Sequence, residues 1–302
     1  MKESQPIVSV GIFVFNEVKF IEEAIVSVIN QTYQNLEIIV SDNCSTDGTI
    51  EIIERYAQRD PRIKFYRQEQ NIGAHENFKF VLHKSTGEYF MWMGGHDIIL
   101  PSLVERAVSV FKINNKSVLV YSDSEFINHE GLTISKSANS NIDNYNLSRT
   151  DRLKNLINNI GYCTPVYGLF KKSVLKNIPI YHMVGNDNLI LFYAAYLGEI
   201  SQLSSVLYQR REVRQPQDSK DVLERYKIQG IYDGNSSPYD YFIIKHLVAL
   251  FKFKHISLVS KYKISLLIYQ KYIKRYNLNK KTILKELAFN IFNIKRLYKI
   301  IS

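Results

Sequence analysis

Asp42 stands directly after a short apolar run, where its carboxylate could do chemistry. It follows residues 36–40 and belongs to the turn-rich segment Ser41-Asp42-Asn43-Cys44-Ser45-Thr46-Asp47-Gly48. A carboxylate at this place could accept a hydrogen bond from the ring N–H of uracil, thymine or guanine, whereas cytosine has no ring N–H to offer. The alternative is that Asp42 and Asp47 close a turn and cap the helix predicted from Thr49, which is a common use of Asp.

A second acidic residue, Asp187, opens a predicted helix in the segment Val184-Gly185-Asn186-Asp187-Asn188-Leu189-Ile190. At the edge of a site, its carboxylate could take a proton from a reacting hydroxyl group. The alternative is an N-cap, which is another frequent use of Asp. Arg210 and Arg211 follow the last predicted strand, where they could contact a diphosphate or remain in solvent.

These residues need a scaffold, and the apolar pattern predicts alternating strands and helices. In the first hundred residues we predict strands at 7–15, 36–40, 63–67 and 89–93, and helices at 18–30, 49–58 and 77–84. Farther on we predict helices at 103–111, 151–159 and 186–197, strands at 117–122 and 205–209, and a loop over 128–150. Such alternation indicates an α/β fold with a mainly parallel sheet, whose ligands bind at the carboxyl ends of the strands.

Composition limits the class of protein. The chain has 302 residues, of which 45% are hydrophobic and 23% charged, enough for a folded globular core. Its two cysteines, Cys44 and Cys163, lack zinc-site spacing and indicate neither a disulfide framework nor a structural metal. The sequence contains no glycine-rich phosphate loop and no nucleophile elbow. Its polar start and its short apolar runs predict neither a signal peptide nor a membrane-spanning helix.

Positive charge is concentrated at the C-terminal end. Residues 241–302 contain 14 Lys or Arg and one acidic residue, Glu286, so they carry +13 while the rest of the chain carries −3. From residue 239 onward, lysines alternate with aromatic and aliphatic residues in a helical pattern, which is typical of helices that lie on anionic membranes. The alternative is that the apolar faces pack onto the rest of the protein. Residues 212–238 are polar, and we predict a mobile linker there.

Three separated motifs resemble the start of glycosyltransferase family 2 in order and spacing. They are Val8-Ser9-Val10-Gly11-Ile12-Phe13-Val14-Phe15-Asn16-Glu17, Val28-Ile29-Asn30-Gln31-Thr32-Tyr33 and Ser41-Asp42-Asn43-Cys44-Ser45-Thr46-Asp47-Gly48-Thr49. The resemblance continues through Asn71-Ile72-Gly73 and Gly87-Glu88-Tyr89 to Asp97 and Pro101, and more weakly to about Arg211. It implies the Rossmann-like α/β fold called GT-A over residues 1–211, with a donor-binding half (1–100) and an acceptor half (101–211). The basic helical tail, 239–302, would follow the linker.

The resemblance also implies a nucleotide-sugar site. Asp42 would contact the N–H edge of the base, and the other nucleotide-binding residues would be Phe13, Phe15, Glu17, Asn71, Gly73 and Asn77. The donor sugar or diphosphate would contact Trp92, Gly94, Gly95, Arg210 and Arg211. The family more often has Thr-Tyr or Pro-Thr-Tyr where this chain has Phe13 and Phe15. These rings can stack but cannot hydrogen-bond, and the alternative is that both are buried on the first strand.

The segment Tyr89-Phe90-Met91-Trp92-Met93-Gly94-Gly95-His96-Asp97 stands where the family has its Asp-x-Asp metal motif. Two carboxylates there hold Mg²⁺ or Mn²⁺, which bridges the diphosphate. Here Gly94 and His96 replace the two Asp residues, and Asp97 follows. An imidazole combined with a carboxylate favours Mn²⁺ over Mg²⁺, so we predict a Mn²⁺ site at His96 and Asp97. The alternative is that His96 caps a turn and no metal binds.

We therefore expect a glycosyltransferase that moves a sugar from a nucleoside diphosphate to an acceptor hydroxyl with inversion. UDP is the favoured nucleotide, with dTDP or GDP as alternatives, and Asp187 stands at the position of the family's catalytic carboxylate. The expected acceptor is a glycan or lipid-linked glycan in bacterial surface polysaccharide, lipopolysaccharide or capsule synthesis, at the cytoplasmic face of the membrane. The alternative is a catalytically inactive binding protein of the same fold. Nucleic-acid binding is not expected, because no base-recognition motif accompanies the charge.

Overall fold

The computed structural model describes residues 5–136, 141–161, 163–212 and 238–276. In the first hundred residues, strands and helices alternate as predicted: β1 (Val8–Val14), α1 (Ile21–Ile29), β2 (Leu36–Asp42), α2 (Thr49–Ala57), β3 (Ile63–Arg67), α3 (Ala74–Lys84) and β4 (Tyr89–Gly94). β2 and β4 are buried along their whole length. Central parallel strands are covered on both faces, which explains their nearly continuous apolar sequences.

The second part of the chain contains shorter elements: β5 (Ile98–Ile99), α4 (Leu103–Ile113), β6 (Ser117–Ile127), β7 (Thr133–Lys136), α5 (Arg149–Asn159), a 3₁₀ turn (Thr164–Tyr167), β8 (Leu169–Lys171), α6 (Lys172–Leu175), α7 (Asn186–Leu197) and β9 (Glu199–Arg211). Two further helices are α8 (Pro238–Lys252) and α9 (Leu258–Tyr276). β5, β7, β8 and α6 are absent from the sequence-based expectation. Each has only two to four residues, too few to establish a period.

The described strands form one sheet in the order β3-β2-β1-β4-β8-β6-β9-β5, with β7 beside β6. The strands from β3 to β4 are parallel, and so are β6 and β9. β8 runs antiparallel between β4 and β6, and β5 runs antiparallel to β9. Helices α1 and α4 cover one face, while α3, α5 and α7 cover the other. The prediction of an α/β fold with a mainly parallel sheet is therefore confirmed.

β6 and β9 are longer than their apolar patterns predict. The sequence indicates strands at 117–122 and 205–209, whereas β6 continues to Ile127 and β9 already begins at Glu199. Polar side chains in these strands bond across the pair, Gln202 to Asp123 and Gln209 to Glu125. These hydrogen bonds take the place of the apolar contacts on which the prediction relied. β7 likewise lies inside the stretch 128–150 that we predict as a loop.

The described part of the C-terminal tail packs into the core. On α8, Phe242, Leu247 and Leu250 are at most 2% exposed. They share one apolar cluster with residues of α5 and α7. Phe242 lies so close to Gly185, which precedes α7, that a Cβ atom at Gly185 would come within 2.4 Å of the ring. The packing alternative therefore holds for the buried face of α8, and Ile264, Ile268 and Tyr272 of α9 belong to the same cluster.

The remainder of the predicted tail and linker, residues 277–302 and 213–237, lies outside the described residues. Among the helices that are described, none combines the length and apolar character that crossing a membrane requires. The boundaries proposed at residues 211 and 239 stay predictions.

Replacing Phe242 with Ala should lower the free energy of unfolding by about 3–5 kcal/mol, as for other buried Phe side chains. Urea denaturation measures this loss. Phe251→Ala is the control on the same helix, because Phe251 is 38% exposed and its removal leaves no closed cavity. If Phe242→Ala unfolded at the same urea concentration as the parent, the packing of α8 against α7 would be wrong.

Candidate active site

Strands β1, β2 and β4 end at one edge of the sheet. In their register, Val14 pairs with Asp42, and Phe13 pairs with Gly94. The Asn43 backbone N–H continues the pairing by donating to Val14 O at 2.9 Å. The motif segments from three separate parts of the sequence therefore lie side by side, at the edge where parallel α/β sheets bind ligands.

Asp42 is fully buried, and only one of its oxygens has a hydrogen-bond partner among the described residues. Oδ2 accepts a hydrogen bond from the Ser45 backbone N–H at 2.9 Å, whereas Oδ1 is buried without a hydrogen-bond donor. The residue that contacts the start of α2 is Asp47, whose Oδ1 accepts from the backbone and hydroxyl of Thr49. A buried carboxylate oxygen without a donor is costly, so Oδ1 is a candidate acceptor for a ligand N–H.

An aromatic wall connects β1, α3 and β4. Phe13 is partly buried and meets Phe78 of α3 edge-on with ring centroids 5.5 Å apart, while Phe15 is 42% exposed. Phe78 in turn stacks on Trp92 at 4.3 Å. Trp92 is fully buried and donates its Nε1–H to Phe78 O at 2.9 Å. The expectation that Trp92 contacts the donor is therefore wrong, because its ring supports the wall from behind.

Asparagine side chains order the loop before α3. Asn71 is exposed, and its Oδ1 accepts from Asn43 Nδ2 at 2.8 Å and from the Gly73 N–H at 2.9 Å. Gly73 has φ +84°, a conformation that glycine adopts without strain. Asn77 is 1% exposed, and its amide bonds the hydroxyl and the carbonyl oxygen of Ser41 at 2.6 and 2.9 Å. Asn77 thus fixes α3 to the end of β2, and Asn71 shapes the loop.

A pocket of about 300 Å³ opens between the starts of α3 and α7 and the 3₁₀ turn. Three of the predicted site residues line it: Phe13, Gly73 and Asp187. Its wall also includes four ring side chains without a motif of their own: His75, Phe78, Tyr167 and His182. His75 and Phe78 follow the Asn71-Ile72-Gly73 motif closely, which was the available signal. His182 lies two residues before the segment 184–190, which was a weak signal. Tyr167 is distant in sequence from every motif, and only the fold brings it here.

His75 and His182 join the two sides of the pocket. Their rings stack with centroids 5.0 Å apart and an interplanar angle of 9°. His75 Nε2 is buried, and no described residue forms a hydrogen bond with it. Burial, followed by the charge of His182, lowers the pKa of His75 to about 4. The His75 side chain is therefore uncharged at neutral pH.

Asp187 and Arg210 form the charged part of the site. Asp187 lies at the start of α7 with its carboxylate open to solvent, yet the pocket surrounds it closely, and partial desolvation raises its pKa. Its own backbone N–H and the charge of Arg210 oppose that shift. Burial lowers the pKa of Arg210, but the neighbouring Tyr167, Asp97, Tyr208 and Asp187 outweigh it, so the net shift is upward. Arg210 thus stays protonated between the two aspartates.

Asp97 fastens the β4 loop to β9. It is 2% exposed, and its Oδ2 accepts from Tyr208 OH at 2.7 Å while its Oδ1 accepts from the Arg211 backbone N–H at 3.0 Å. The guanidinium of Arg211 is 1% exposed and donates to His96 O, to two further backbone carbonyls and to Glu23. The expectation that Arg211 contacts the diphosphate is therefore wrong. Successive side chains alternate across a strand, so Arg210 points the other way.

The predicted metal ligands, His96 and Asp97, are close but already bonded. His96 Nδ1 lies 2.8 Å from Glu17 Oε1, and its Nε2 lies 3.9 Å from Asp97 Oδ1. Burial lowers the pKa of His96, but the bond to Glu17 and the charge of Asp97 raise it by more. A Cβ atom at Gly94 would lie 3.0 Å from Asp97 Oδ2 and 3.4 Å from His96 Nε2, so glycine keeps that space open.

Among the described residues, no three His, Cys, Asp or Glu side chains lie together as a metal site. His96 and Asp97 therefore suit a cation only when a ligand such as a diphosphate supplies further oxygens. Gly95 has a different role from the one expected. A Cβ atom there would come within 2.8 Å of the Val14 side chain, so tight packing against β1 requires glycine.

The chain is similar in sequence to glycosyltransferases. The family model described as Glycosyl transferase family 2 matches residues 9–179, more than half of the chain. A protein from Haemophilus influenzae described as an uncharacterized glycosyltransferase is 39% identical over 113 residues, 37% of this chain and 35% of that protein. A Rickettsia typhi protein of the same description is 35% identical over 126 residues, 41% of this chain and 38% of that protein. The matches span little more than a third of these relatives' lengths.

Solved structures share the fold. S. aureus TarS 1–349 in complex with UDP-GlcNAc has a TM-score of 0.68 at 17% identity, covering 88% of this chain and 72% of that one. The mannosyltransferase PcManGT from Pyrobaculum calidifontis, in complex with GDP-Man and Mn²⁺, has a TM-score of 0.54 at 15% identity, covering 96% of this chain and 80% of that one. At these identities the likeness establishes the fold, and the expected GT-A architecture is confirmed.

Proposed function

The chain belongs to glycosyl transferase family 2, and from this premise we propose that it transfers a sugar from a nucleoside diphosphate to an acceptor hydroxyl with inversion. The observation that carries the proposal is the pocket in which Phe13 and Gly73 face Asp187, with Arg210 close behind. A donor pocket needs a wall for the nucleotide, positive charge for the diphosphate and a base for the acceptor, and these residues supply all three. The sugar-nucleotide complexes of TarS and PcManGT lend support.

Asp187 is the proposed general base. Its raised pKa increases its affinity for a proton, and its carboxylate is open to the pocket. The acceptor oxygen forms its bond to the anomeric carbon from the face opposite the diphosphate, while its proton passes to Asp187. The bond between the anomeric carbon and the diphosphate breaks, and the electron pair leaves with the nucleoside diphosphate. Attack from the opposite face inverts the anomeric configuration.

Arg210 is the proposed partner of the leaving diphosphate. Burial lowers its pKa, but Tyr167, Asp97, Tyr208 and Asp187 around it outweigh that effect, so the pKa lies above the usual value and the guanidinium stays charged. A fixed cation in a partly desolvated site stabilises the negative charge that develops on the leaving group. The charge of Arg210 also lowers the pKa of Asp187 and so limits the rise that desolvation causes.

Asp42 is proposed to accept a hydrogen bond from the ring N–H of the base. UDP is the proposed nucleotide, with dTDP and GDP as alternatives. Asp42 Oδ1 has no partner among the described residues, and this supports the role, because a ring N–H would supply the missing donor. Phe13 and Phe15 would flank the base, and the loop with Asn71 and Gly73 would lie near the ribose and diphosphate.

A divalent cation, Mn²⁺ rather than Mg²⁺, completes the proposal. His96 and Asp97 would hold it together with oxygens of the diphosphate, and Glu17 would orient the His96 ring through the bond at Nδ1. When bound, the cation would neutralise charge on the leaving diphosphate. The nitrogen ligand is the reason for favouring Mn²⁺.

The proposed acceptor is a glycan or lipid-linked glycan of bacterial surface polysaccharide synthesis, used at the cytoplasmic face of the membrane. Part of α9 supports contact with lipid. Leu258, Val259 and Tyr262 are 78%, 65% and 64% exposed, and the lysines at 252, 254 and 263 are exposed as well. Exposed apolar side chains bordered by lysines suit an anionic membrane surface. The competing proposal, a binding protein without catalysis, depends on the altered metal motif and predicts no sugar release with any donor.

Replacing Asp42 with Ala should weaken UDP binding by about 1–3 kcal/mol, the range for a hydrogen bond to a charged group. Calorimetric titration with UDP measures the change, and CDP should bind more weakly than UDP to the parent. Asp47→Ala is the matched control, since Asp47 contacts Thr49 and has no proposed ligand. Equal UDP affinity of Asp42→Ala and the parent would remove Asp42 from the base site.

Substitution of Asp187 and removal of the proposed metal site should affect different properties of the enzyme. Asp187→Asn should lower kcat by about 10²–10⁴ with little change in donor affinity, because the general base acts on the acceptor. His96→Ala, or EDTA with the parent, should weaken donor binding and activity together. Donor hydrolysis or transfer and UDP-sugar titration are measured side by side. Normal turnover by Asp187→Asn would exclude Asp187 as the base, and full activity in EDTA would exclude the cation.

Changing Leu258 and Val259 to Asp together should reduce cosedimentation with phosphatidylglycerol vesicles, because both side chains are exposed and charge repels anionic lipid. Raised salt should weaken binding of the parent as well. Ile113→Asp is the control, since Ile113 is 88% exposed on α4, far from the tail in sequence. Equal vesicle binding by the double variant and the parent would contradict a role for this face of α9.

A further inference from the structure

The Tyr167 side chain lines the same pocket as Asp187, and the mechanism proposed above gives it no role. The 3₁₀ turn before β8 ends at Tyr167, and the residue is partly buried. In the part of the chain that the structure describes, no residue forms a hydrogen bond with its hydroxyl group. A phenol hydroxyl can donate one hydrogen bond, and polar groups in protein interiors are rarely left without a partner. The pocket is therefore where water or a ligand completes the bonding of Tyr167.

Packing restrains the Tyr167 ring. The ring stacks on that of Tyr208 with centroids 5.5 Å apart and an interplanar angle of 17°. Tyr208 is itself fixed, because it is 3% exposed and its hydroxyl donates to Asp97 Oδ2 at 2.7 Å. The turn packs closely on β6, since a Cβ atom at Gly168 would come within 2.6 Å of the Val120 carbonyl oxygen. A donor held in this way needs little reorganisation before it meets a ligand.

Arg210 is the cation beside Tyr167. On β9 it follows Tyr208 by two residues, so these two side chains lie on the same face of the strand, and Tyr167 stacks on the first of them. Burial raises the pKa of Tyr167, Arg210 opposes the shift, and Asp97 and Asp187 add to it. The hydroxyl therefore keeps its proton at neutral pH. The pocket wall thus offers a neutral donor next to a charged one.

These two donors suit an anionic ligand. Arg210 lies over the Phe126 ring at 5.8 Å, and no described residue forms a hydrogen bond or an ion pair with its guanidinium. Phosphate oxygens accept strong hydrogen bonds from both hydroxyl and guanidinium groups. Asp187, the proposed base, lines the same pocket as Tyr167, so the phosphate within reach is the one bonded to the sugar.

We propose that Tyr167 donates a hydrogen bond to the sugar-linked phosphate of the donor, beside the contact from Arg210. The inference rests on the proposed function and adds a catalytic residue to it. When the bond to the anomeric carbon breaks, negative charge grows on this phosphate, and the hydrogen bond from Tyr167 becomes stronger. Tyr167 keeps its own proton throughout. The acceptor proton still passes to Asp187, and the electron pair still leaves with the nucleoside diphosphate.

Tyr167→Phe tests the proposal, because it removes the hydroxyl and keeps the ring that stacks on Tyr208. The full chain is titrated calorimetrically at saturating Mn²⁺ with UDP and with UMP, which lacks the phosphate that carries the sugar. The Kd of the variant for UDP should be about tenfold higher than that of the parent, through the loss of a hydrogen bond to a charged group. Its Kd for UMP should equal that of the parent.

A control and a rate measurement complete the test. Tyr145→Phe removes the same hydroxyl from a side chain that is 60% exposed and lies outside the pocket, so it should bind UDP and UMP like the parent. At saturating donor, kcat for sugar release by Tyr167→Phe should fall about tenfold, because the lost hydrogen bond is strongest when the diphosphate leaves.

Several results would overturn the proposal. Equal UDP affinity of Tyr167→Phe and the parent would exclude the phosphate contact and leave the proposed function intact. An equal loss of UMP affinity would show that the substitution disturbs the pocket in general. Unchanged kcat would exclude an action on the leaving group. If the parent bound none of UDP, dTDP and GDP, the proposed function itself would fail, and the contact from Tyr167 with it.

Discussion

The arrangement of the candidate site depends on one buried carboxylate, Asp97. A carboxylate in a protein interior is costly unless hydrogen-bond donors satisfy its oxygens. Here the donors are the Tyr208 hydroxyl and the Arg211 backbone N–H, both on β9. Asp97 therefore holds the loop after β4 and the end of β9 in one relative position. The alternation of side chains along β9 then places Arg210 toward Asp187, while Arg211 bonds the backbone of the His96 loop.

A second constraint acts on Asp187 through the helices at the C-terminal end. Phe242 of α8 packs against Gly185, immediately before α7, so closely that no side chain fits at that position. Gly185 also has φ +72°, which glycine tolerates best. The start of α7 is thus fixed by contact from α8, and the apolar residues of the described tail contribute to the core that supports the site. The exposed lysines and apolar residues of α9 remain available on the outer surface.

The altered metal motif changes how charge is distributed at the site. Gly94 provides space instead of a carboxylate, and His96 is oriented by its bond to Glu17. The carboxylate of Asp97 is shared with β9 and is not free to serve a cation alone. In the proposed mechanism, Arg210 shares with the cation the stabilisation of the leaving diphosphate. Burial strengthens this stabilisation, because charges interact more strongly where water is excluded.

The sequence by itself determined the order and type of the elements from β1 to β4, because local periodicity reports burial on each strand and helix. It also determined that Asp42 and Asp187 stand at element ends. Only the tertiary structure decided that Trp92 and Arg211 are internal supports, that polar residues extend β6 and β9, and that Tyr167 and His182 line the pocket. These outcomes depend on contacts between distant residues, such as Asp97 and Tyr208, which lie 111 positions apart. A local pattern contains no information about which distant donor satisfies a buried acceptor.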